Sequence, residues 1–279
     1  MLKEAASFLE RHGIESPRLN AERLIASILG TDRVGLYLRF DQPVNEAERG
    51  SIRSLLKRRA SHEPLQYILG ETEFLSLPFS VSSTVLIPRP ETELLVEKTI
   101  ERFRGRGPIR VLDIGTGSGC VAVALARALP EAYVDAVDTE PGALDVARGN
   151  AERNGVSGRI RFFKADLLAQ DFESAVSPPY AALISNPPYV ALREWNSLPP
   201  EIRNHEPRKA LCDEGDGLTH FRAIASKCGK LLSGSGCVVV EIGYGQGDEV
   251  IRLFSEGGLR NSETFMDLKG IPRVVKAEA

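Results

Sequence analysis

The feature that most constrains the fold is an alternation of short apolar runs with amphipathic segments, which fills the chain beyond residue 88. Short apolar runs are typical of buried strands, whereas apolar residues three and four positions apart are typical of helices. Strands that alternate with helices form a doubly wound, mostly parallel α/β sheet. We predict strands at residues 110–114, 133–138, 160–165, 181–185 and 237–242, and a final antiparallel pair at 264–268 and 273–276. The predicted helices cover residues 92–104, 120–129, 142–153, 218–232 and 248–255.

The first 66 residues have a different pattern, that of short amphipathic helices separated by glycine and proline. Apolar residues recur at helical spacing in three segments, around Leu2, Leu24 and Ile52. We therefore predict a small helical-bundle domain over residues 1–66. The basic run Lys57-Arg58-Arg59 is interpreted as the solvated end of a helix.

Residues 67–88 separate these two patterns and favour β-structure, with alternating polar and apolar residues at 79–81 and 84–87. We predict that this segment is a β-hairpin linker. It would join the helical bundle to an α/β domain over residues 89–279.

The charge balance limits the classes of partner. The chain of 279 residues has a formal charge of −3, which gives no general attraction to a nucleic-acid backbone. No apolar run approaches the roughly 18 residues that span a bilayer, and the first residues lack the apolar core of a signal peptide. We expect a cytoplasmic protein with no membrane partner and no direct nucleic-acid partner. The cysteines and histidines lack metal-ligand spacing, so we expect buried reduced thiols, no metal site, and histidines at the surface or with satisfied core positions.

A glycine-rich loop, Asp113-Ile114-Gly115-Thr116-Gly117-Ser118-Gly119, follows the first strand of the predicted sheet. An open α/β sheet binds ligands at this end of its strands, and glycine lets a ligand approach the backbone closely. The third glycine comes one residue too early for a dinucleotide-binding GxGxxG motif. A carboxylate before the glycines would repel a pyrophosphate but could help to hold a cation. The candidate ligand-binding residues here are Asp113, Gly115, Thr116, Gly117, Ser118 and Gly119.

Two further acidic residues end neighbouring strands. Asp138 closes the second strand, 19 residues after Gly119, where its two oxygens can accept both hydroxyl protons of a ribose. Asp166 follows the third strand and is placed either to accept from an adenine amino group or to cap a helix. A second glycine-rich segment, residues 243–247, lacks a preceding aspartate and is interpreted as a loop that begins a helix.

The tetrad Asn186-Pro187-Pro188-Tyr189 follows the fourth strand and is the most specific motif in the sequence. The two prolines hold the backbone rigidly and leave its carbonyls free for a substrate. An amide nitrogen is a poor nucleophile because its lone pair is delocalised. If the Asn186 side-chain oxygen and the Pro187 carbonyl both accept from a substrate NH₂, they favour a pyramidal nitrogen that can attack a sulfonium methyl group. The Tyr189 ring can pack on the planar group and lie near the sulfonium.

Taken together, these motifs resemble the class I methyltransferases with their Rossmann-like sheet, and within them the PrmC/HemK family of N5-glutamine methyltransferases. The resemblance extends to residues 74–78, 87–93 and 206–211. It implies S-adenosylmethionine as the cofactor, with contacts from residues 115–119, Asp138 and Asn186. It also implies a glutamine substrate in the Gly-Gly-Gln motif of class I peptide chain release factors, gripped by the N-terminal helices. That glutamine would contact Asn186, Pro187, Pro188 and Tyr189. Leu167 stands where family members often have an aromatic residue, so we expect an apolar contact with adenine there.

Two other functions fit parts of the pattern. An adenine-N6 methyltransferase acting on DNA or RNA shares the tetrad, because an exocyclic NH₂ has the same lone-pair problem; the net acidity of the chain counts against it. A non-catalytic cofactor-binding scaffold would have no use for the rigid acceptors of the tetrad. For Arg89 and Glu93, a role in shaping the cofactor pocket and a role at the start of a helix are both open.

Overall fold

The computed structural model describes residues 1–39 and 41–279 and divides into two compact units. The first comprises Met1–Glu71 and Pro199–His205, and the second Thr72–Leu198 and Glu206–Ala279. The domain limits at residues 66 and 88 remain our proposal. Within the described ranges, no helix combines the length and the apolar character needed to cross a membrane.

The helices and strands follow one another along the chain in an order that matches the sequence pattern. They are α1 (Leu2–Arg11), α2 (Pro17–Ile28), α3 (Arg33–Leu38), α4 (Glu46–Ala60), α5 (Leu65–Leu69), β1 (Glu71–Phe74), β2 (Leu77–Ser80), α6 (Pro90–Phe103), β3 (Ile109–Ile114), α7 (Cys120–Ala128), β4 (Ala132–Asp138), α8 (Pro141–Arg153), β5 (Ile160–Lys164), α9 (Phe172–Ala175), β6 (Tyr180–Ser185), α10 (Pro200–His205), α11 (Thr219–Leu231), β7 (Leu232–Glu241), α12 (Gly247–Glu256), β8 (Arg260–Met266) and β9 (Pro272–Glu278).

The first unit is a helical bundle whose core comes from α1, α2, α4 and α5, with Leu9, Leu24 and Ile52 almost fully buried. The interpretation of residues 57–59 as a solvated helix end is wrong for Arg59, which is 5% exposed. Its guanidinium donates to Asn20 and to Glu201 of α10, both at 2.8 Å. A buried charge needs such partners, and this ion pair attaches α10 to the bundle.

The second unit contains a seven-stranded sheet in the order β5-β4-β3-β6-β7-β9-β8. Strands β3 to β7 are parallel, and β9 and β8 continue the sheet antiparallel. Neighbouring residues such as Val111 and Leu112 belong to different core clusters, as expected when successive side chains point to opposite faces. Helices α6, α7 and α8 contribute to one cluster and α11 and α12 to the other. The predicted α/β fold class is thereby confirmed.

The strand order reverses direction between β3 and β6. From β3 the chain proceeds outward to β4 and β5, whereas β6 and β7 lie on the other side of β3. At such a switch point the connections leave in opposite directions and open a crevice at the carboxyl ends of the strands. The glycine-rich loop and the tetrad follow these two strands.

The hairpin consists of β1 and β2, joined by Leu75 and Ser76, whose φ angles are +48° and +60°, respectively.

Residues 84–87, predicted as β-structure, form no strand. Val85 and Ile87 are buried as their alternation suggests. The Ile87 N–H, however, donates to the Glu206 carboxylate at 3.3 Å instead of to a neighbouring strand. The alternation therefore reflects burial against the α/β unit rather than sheet pairing.

Candidate functional site

The glycine-rich loop leaves β3 at the switch point and turns sharply. The backbone N–H groups of Gly115 and Thr116 both donate to the Val137 carbonyl of β4 at 2.9 Å. Gly115 and Gly117 have φ angles of +74° and +54°, which L residues with a side chain rarely adopt. A Cβ at Gly115 would meet no atom within 4 Å. Their missing side chains thus leave space beside the loop.

A pocket occupies this space and brings together many of the predicted site residues. Its wall includes Gly115 and Gly117 of the loop, the strand-end residues Asp138, Asp166 and Leu167, and the tetrad residues Asn186, Pro187 and Pro188. The rest of the wall described here comes from Thr84, Val85, Leu86, Ile114, Thr139, Glu140, Ala143, Ala165, Ser185, Pro207, Lys209, Ala210 and His220. Residues separated by a hundred positions therefore meet at one edge of the sheet.

Asp138 is the most firmly fixed acid in the pocket wall. Its Oδ2 accepts the Gly117 N–H at 2.9 Å, and its Oδ1 accepts the Glu140 N–H at 3.0 Å. Burial raises the pKa of its carboxyl, although both hydrogen bonds favour the ionised form. Each carboxylate oxygen has a second lone pair, so the group can accept two further hydrogen bonds from a ligand.

Four predicted ligand residues of the loop do not line the pocket. Thr116 and Asp113 are buried, and the Thr116 hydroxyl donates to the Asp113 carboxylate at 2.7 Å. Burial raises the Asp113 pKa to about 7. The Ser118 carbonyl accepts from the Asn150 Nδ2 of α8 at 2.8 Å. At Gly119, with φ +78°, a Cβ would lie 3.0 Å from the Ala147 Cβ. These residues hold the loop and α7 in place, and their contact with a cofactor remains a prediction.

The tetrad begins where β6 leaves the sheet. Ser185 ends the strand, and its hydroxyl donates to the Ile114 carbonyl of β3 at 2.8 Å. Asn186 donates through Nδ2 to the Thr92 hydroxyl at 3.1 Å. Tyr189 does not line the pocket; its hydroxyl donates to Glu241 at 3.1 Å. Burial, with the Glu241 carboxylate beside it, raises the Tyr189 pKa, so the side chain stays neutral.

His220, in the first turn of α11, lies in the pocket wall with Asp166 and Leu167. Its Nδ1 is buried and has no hydrogen-bond partner within the residues that the structure describes. Burial lowers the His220 pKa, which favours the neutral ring. The expectation that every histidine is at the surface or satisfied is therefore wrong for His220. Its ring adds an aromatic group to the part of the wall where Leu167 is aliphatic.

Gln246, a residue that the sequence analysis missed, holds one end of the tetrad in place. Gln246 lies in the second glycine-rich segment, which precedes α12 as predicted, and donates through Nε2 to the Tyr189 carbonyl at 3.0 Å. Glu206 accepts from Arg89, and Glu93 accepts the Leu75 N–H at 2.8 Å. Arg89 and Glu93 thus bind protein groups and do not line the pocket. Only the topology makes Gln246 a neighbour of Tyr189, so no local pattern indicates that contact.

Comparison with known proteins first defines a class. Residues 1–70 match the PrmC N-terminal domain, and residues 90–201 match the methyltransferase small domain. The catalytic domain of hMettl16, solved with the MAT2A 3′UTR hairpin 6, superposes with a TM-score of 0.55 at 18% identity over 85% of this chain and 93% of that chain. A methyltransferase from Pyrococcus furiosus gives 0.52 at 16% identity over 74% and 90%. At such identities these structures show the methyltransferase fold alone.

Curated relatives then define the family. A release factor glutamine methyltransferase from Geobacter sulfurreducens is 44% identical over 268 residues, which cover 96% of this chain and 92% of the relative. The protein of the same name from Chlorobaculum tepidum is 42% identical over 98% of this chain and 94% of its own length. The chain belongs to the release factor glutamine methyltransferase family, and the predicted PrmC/HemK resemblance is confirmed.

Proposed function

We propose that this protein transfers the methyl group of S-adenosylmethionine to the side-chain amide nitrogen of the glutamine in the Gly-Gly-Gln motif of class I peptide chain release factors, in the cytoplasm. The observation that carries the proposal is the position of Asn186, Pro187 and Pro188 in the wall of the same pocket as Gly115, Gly117 and Asp138. Family membership supports the same reaction.

The residues that line the pocket suit S-adenosylmethionine. The open space beside Gly115 and Gly117 admits a ligand close to the backbone. The free lone pairs of Asp138 suit the two ribose hydroxyls. Asp166, Leu167 and His220 offer an acceptor, an apolar side chain and an aromatic ring for adenine. When bound, the cofactor supplies an electrophilic methyl group on a positively charged sulfur.

The tetrad supplies the geometry that the nucleophile needs. The Asn186 Oδ1 and the Pro187 carbonyl accept the two N–H groups of the substrate amide and aim the nitrogen lone pair at the methyl carbon. As the nitrogen–carbon bond forms, the carbon–sulfur bond breaks and its electron pair stays on sulfur. The methylated amide then loses a proton to solvent. Because the methylated amide loses this proton readily, no general base with a shifted pKa is required. Orientation of this kind contributes up to roughly 7–11 kcal/mol in favourable systems.

The test is incubation of the protein with isotopically labelled S-adenosylmethionine and a bacterial class I release factor, followed by peptide mass mapping. We expect one methyl group, on the glutamine of the Gly-Gly-Gln motif. Asn186→Ala should reduce the rate by roughly 5- to 150-fold, because loss of one well-placed acceptor costs about 1–3 kcal/mol. A release factor with the glutamine replaced by asparagine is the matched control. Label on another residue would contradict the proposal.

The alternative substrate is the exocyclic amine of adenine in DNA or RNA. The fold likeness to hMettl16, at 18% identity, carries no information on substrate. The net charge of −3 gives no general attraction to phosphates. A parallel incubation with nucleic acid separates the two functions, since label transferred to adenine instead of to the release factor would establish the alternative.

A further inference from the structure

A buried carboxylate lies directly behind the tetrad. Glu241 ends β7, next to β6, and the pairing of Ser185 with Val240 brings Asn186 and Glu241 out of the sheet at the same edge. Glu241 is 1% exposed. Its Oε2 accepts the hydroxyl of Thr92 at 2.6 Å, and its Oε1 accepts the hydroxyl of Tyr189 at 3.1 Å. One carboxylate therefore touches the tetrad directly at Tyr189.

Thr92 connects the same carboxylate to the other end of the tetrad. It lies in the first turn of α6, is 2% exposed, and accepts from the Asn186 Nδ2 at 3.1 Å. The direction of these hydrogen bonds follows from the number of protons that each group can donate. A threonine hydroxyl has one proton, and an ionised carboxylate oxygen has none. Where Glu241 is ionised, above about pH 7, Thr92 donates its proton to the carboxylate, so its remaining role toward Asn186 is that of an acceptor.

This direction fixes an orientation that an asparagine amide otherwise leaves open. The two ends of the amide are alike in size and differ only in hydrogen-bonding role. Because Thr92 can only accept, the NH₂ end of Asn186 must face it, and the carbonyl end is left for another partner. The reversed amide would place two acceptors, Asn186 Oδ1 and Thr92 Oγ1, against each other inside the protein, which is costly.

We propose that Thr92 and Glu241 are positioning residues that hold the Asn186 amide with its oxygen available to the substrate NH₂ group. This inference rests on the proposed function, because an acceptor is needed only if the substrate presents an N–H group. Neither residue is among those that line the pocket. They act through Asn186 and, for Glu241, through Tyr189 as well.

The chain offers a matched pair of substitutions on one helix. Thr92→Val removes the hydroxyl but keeps the shape of the side chain. Thr99 lies two turns further along α6 and is fully buried, and its hydroxyl donates to the Leu95 carbonyl of the same helix at 2.9 Å. Thr99→Val therefore makes the same change at a buried site where the hydroxyl bonds to the Leu95 carbonyl and not to Asn186 or Glu241. Thr92→Ser restores the hydroxyl.

Steady-state kinetics with a release factor separate positioning from general damage. We expect Thr92→Val to lower kcat at least tenfold, with the KM for S-adenosylmethionine within about twofold of wild type. Thr92→Ser should recover most of the loss, and Thr99→Val should stay within about twofold in both constants. The proposal is overturned if Thr92→Val retains wild-type kcat, if Thr99→Val loses as much, or if Thr92→Ser shows no recovery.

A second readout does not depend on the substrate. The side-chain amide protons of Asn186, assigned by their absence in Asn186→Asp, should exchange with solvent slowly in wild type and at least tenfold faster in Thr92→Val. Equal exchange rates would overturn the inference even if methylation is normal. Slow exchange in a wild-type protein that methylates no glutamine would instead contradict the proposed function and leave the anchoring of Asn186 intact.

Discussion

At the residue scale, Asp138 shows how much the conformation of the glycine-rich loop depends on a single carboxylate. Both of its oxygens already accept backbone N–H groups, from Gly117 and from Glu140. An asparagine at position 138 would have one oxygen and one NH₂ group. In either orientation of its amide, the NH₂ group would face one of these two N–H donors. The acid is therefore needed to keep the loop in place, in addition to the ribose contact that we propose for it.

We expect Asp138→Asn to weaken binding of S-adenosylhomocysteine by roughly 10- to 100-fold, since a hydrogen bond to a charged group contributes about 1.5–3 kcal/mol. Isothermal titration calorimetry measures this directly. Asp145→Asn is the control, because Asp145 is an exposed acid of α8 paired with Arg148 at 2.8 Å. Equal affinities for the two variants would show that Asp138 does not bind the cofactor.

At the scale of elements, Gly119 determines how closely α7 and α8 approach each other. Its φ of +78° disfavours any side chain, and a Cβ would lie 3.0 Å from the Ala147 Cβ and 3.1 Å from its Cα. Gly149, also in α8, has no atom within 4 Å of its Cβ position. The same substitution should therefore have opposite effects at the two glycines.

Gly119→Ala should lower the free energy of unfolding by about 2–4 kcal/mol, from backbone strain and overpacking. Gly149→Ala should raise it by about 0.5–1 kcal/mol, because alanine loses less conformational freedom in a helix. Urea denaturation of both variants checks the difference. Similar stabilities would mean that the two helices are not packed through Gly119.

The sequence predicts the elements of the sheet well because their signals are local. The apolar run of β3 and the amphipathic pattern of α8 can each be recognised without knowledge of the rest of the chain. Partners set by topology could not be predicted in this way. Glu241 lies within the predicted strand 237–242, and the sequence analysis predicts no element over α10. Only the fold brings Glu241 to Tyr189 and α10 to Arg59.

At the scale of the whole molecule, burial of Glu241 links stability to pH. Burial raises its pKa to about 7, against hydrogen bonds from Thr92 and Tyr189; Glu91 raises it further and Arg273 lowers it. In the unfolded chain the pKa is about 4.5. Between these values the folded state holds a proton that the unfolded state has lost. The contribution of Glu241 to the free energy of unfolding is therefore fully present below pH 4.5 and is lost as pH rises through about 7.

Comparison of wild type with Glu241→Gln isolates this contribution, because glutamine does not titrate. The free energy of unfolding of wild type, relative to the variant, should fall by roughly 3 kcal/mol between pH 4.5 and 7, at about 1.4 kcal/mol per pKa unit. Denaturation at a series of pH values measures it. A difference that stays constant with pH would show that Glu241 is ionised throughout this range.

The most direct test is a crystal structure of the protein with S-adenosylhomocysteine and a Gly-Gly-Gln peptide. We predict that the glutamine amide nitrogen lies within hydrogen-bonding distance of the Asn186 Oδ1 and the Pro187 carbonyl, and faces the sulfur atom of the cofactor product. A glutamine side chain bound away from these two acceptors, or a tetrad turned away from the sulfur, would contradict the account.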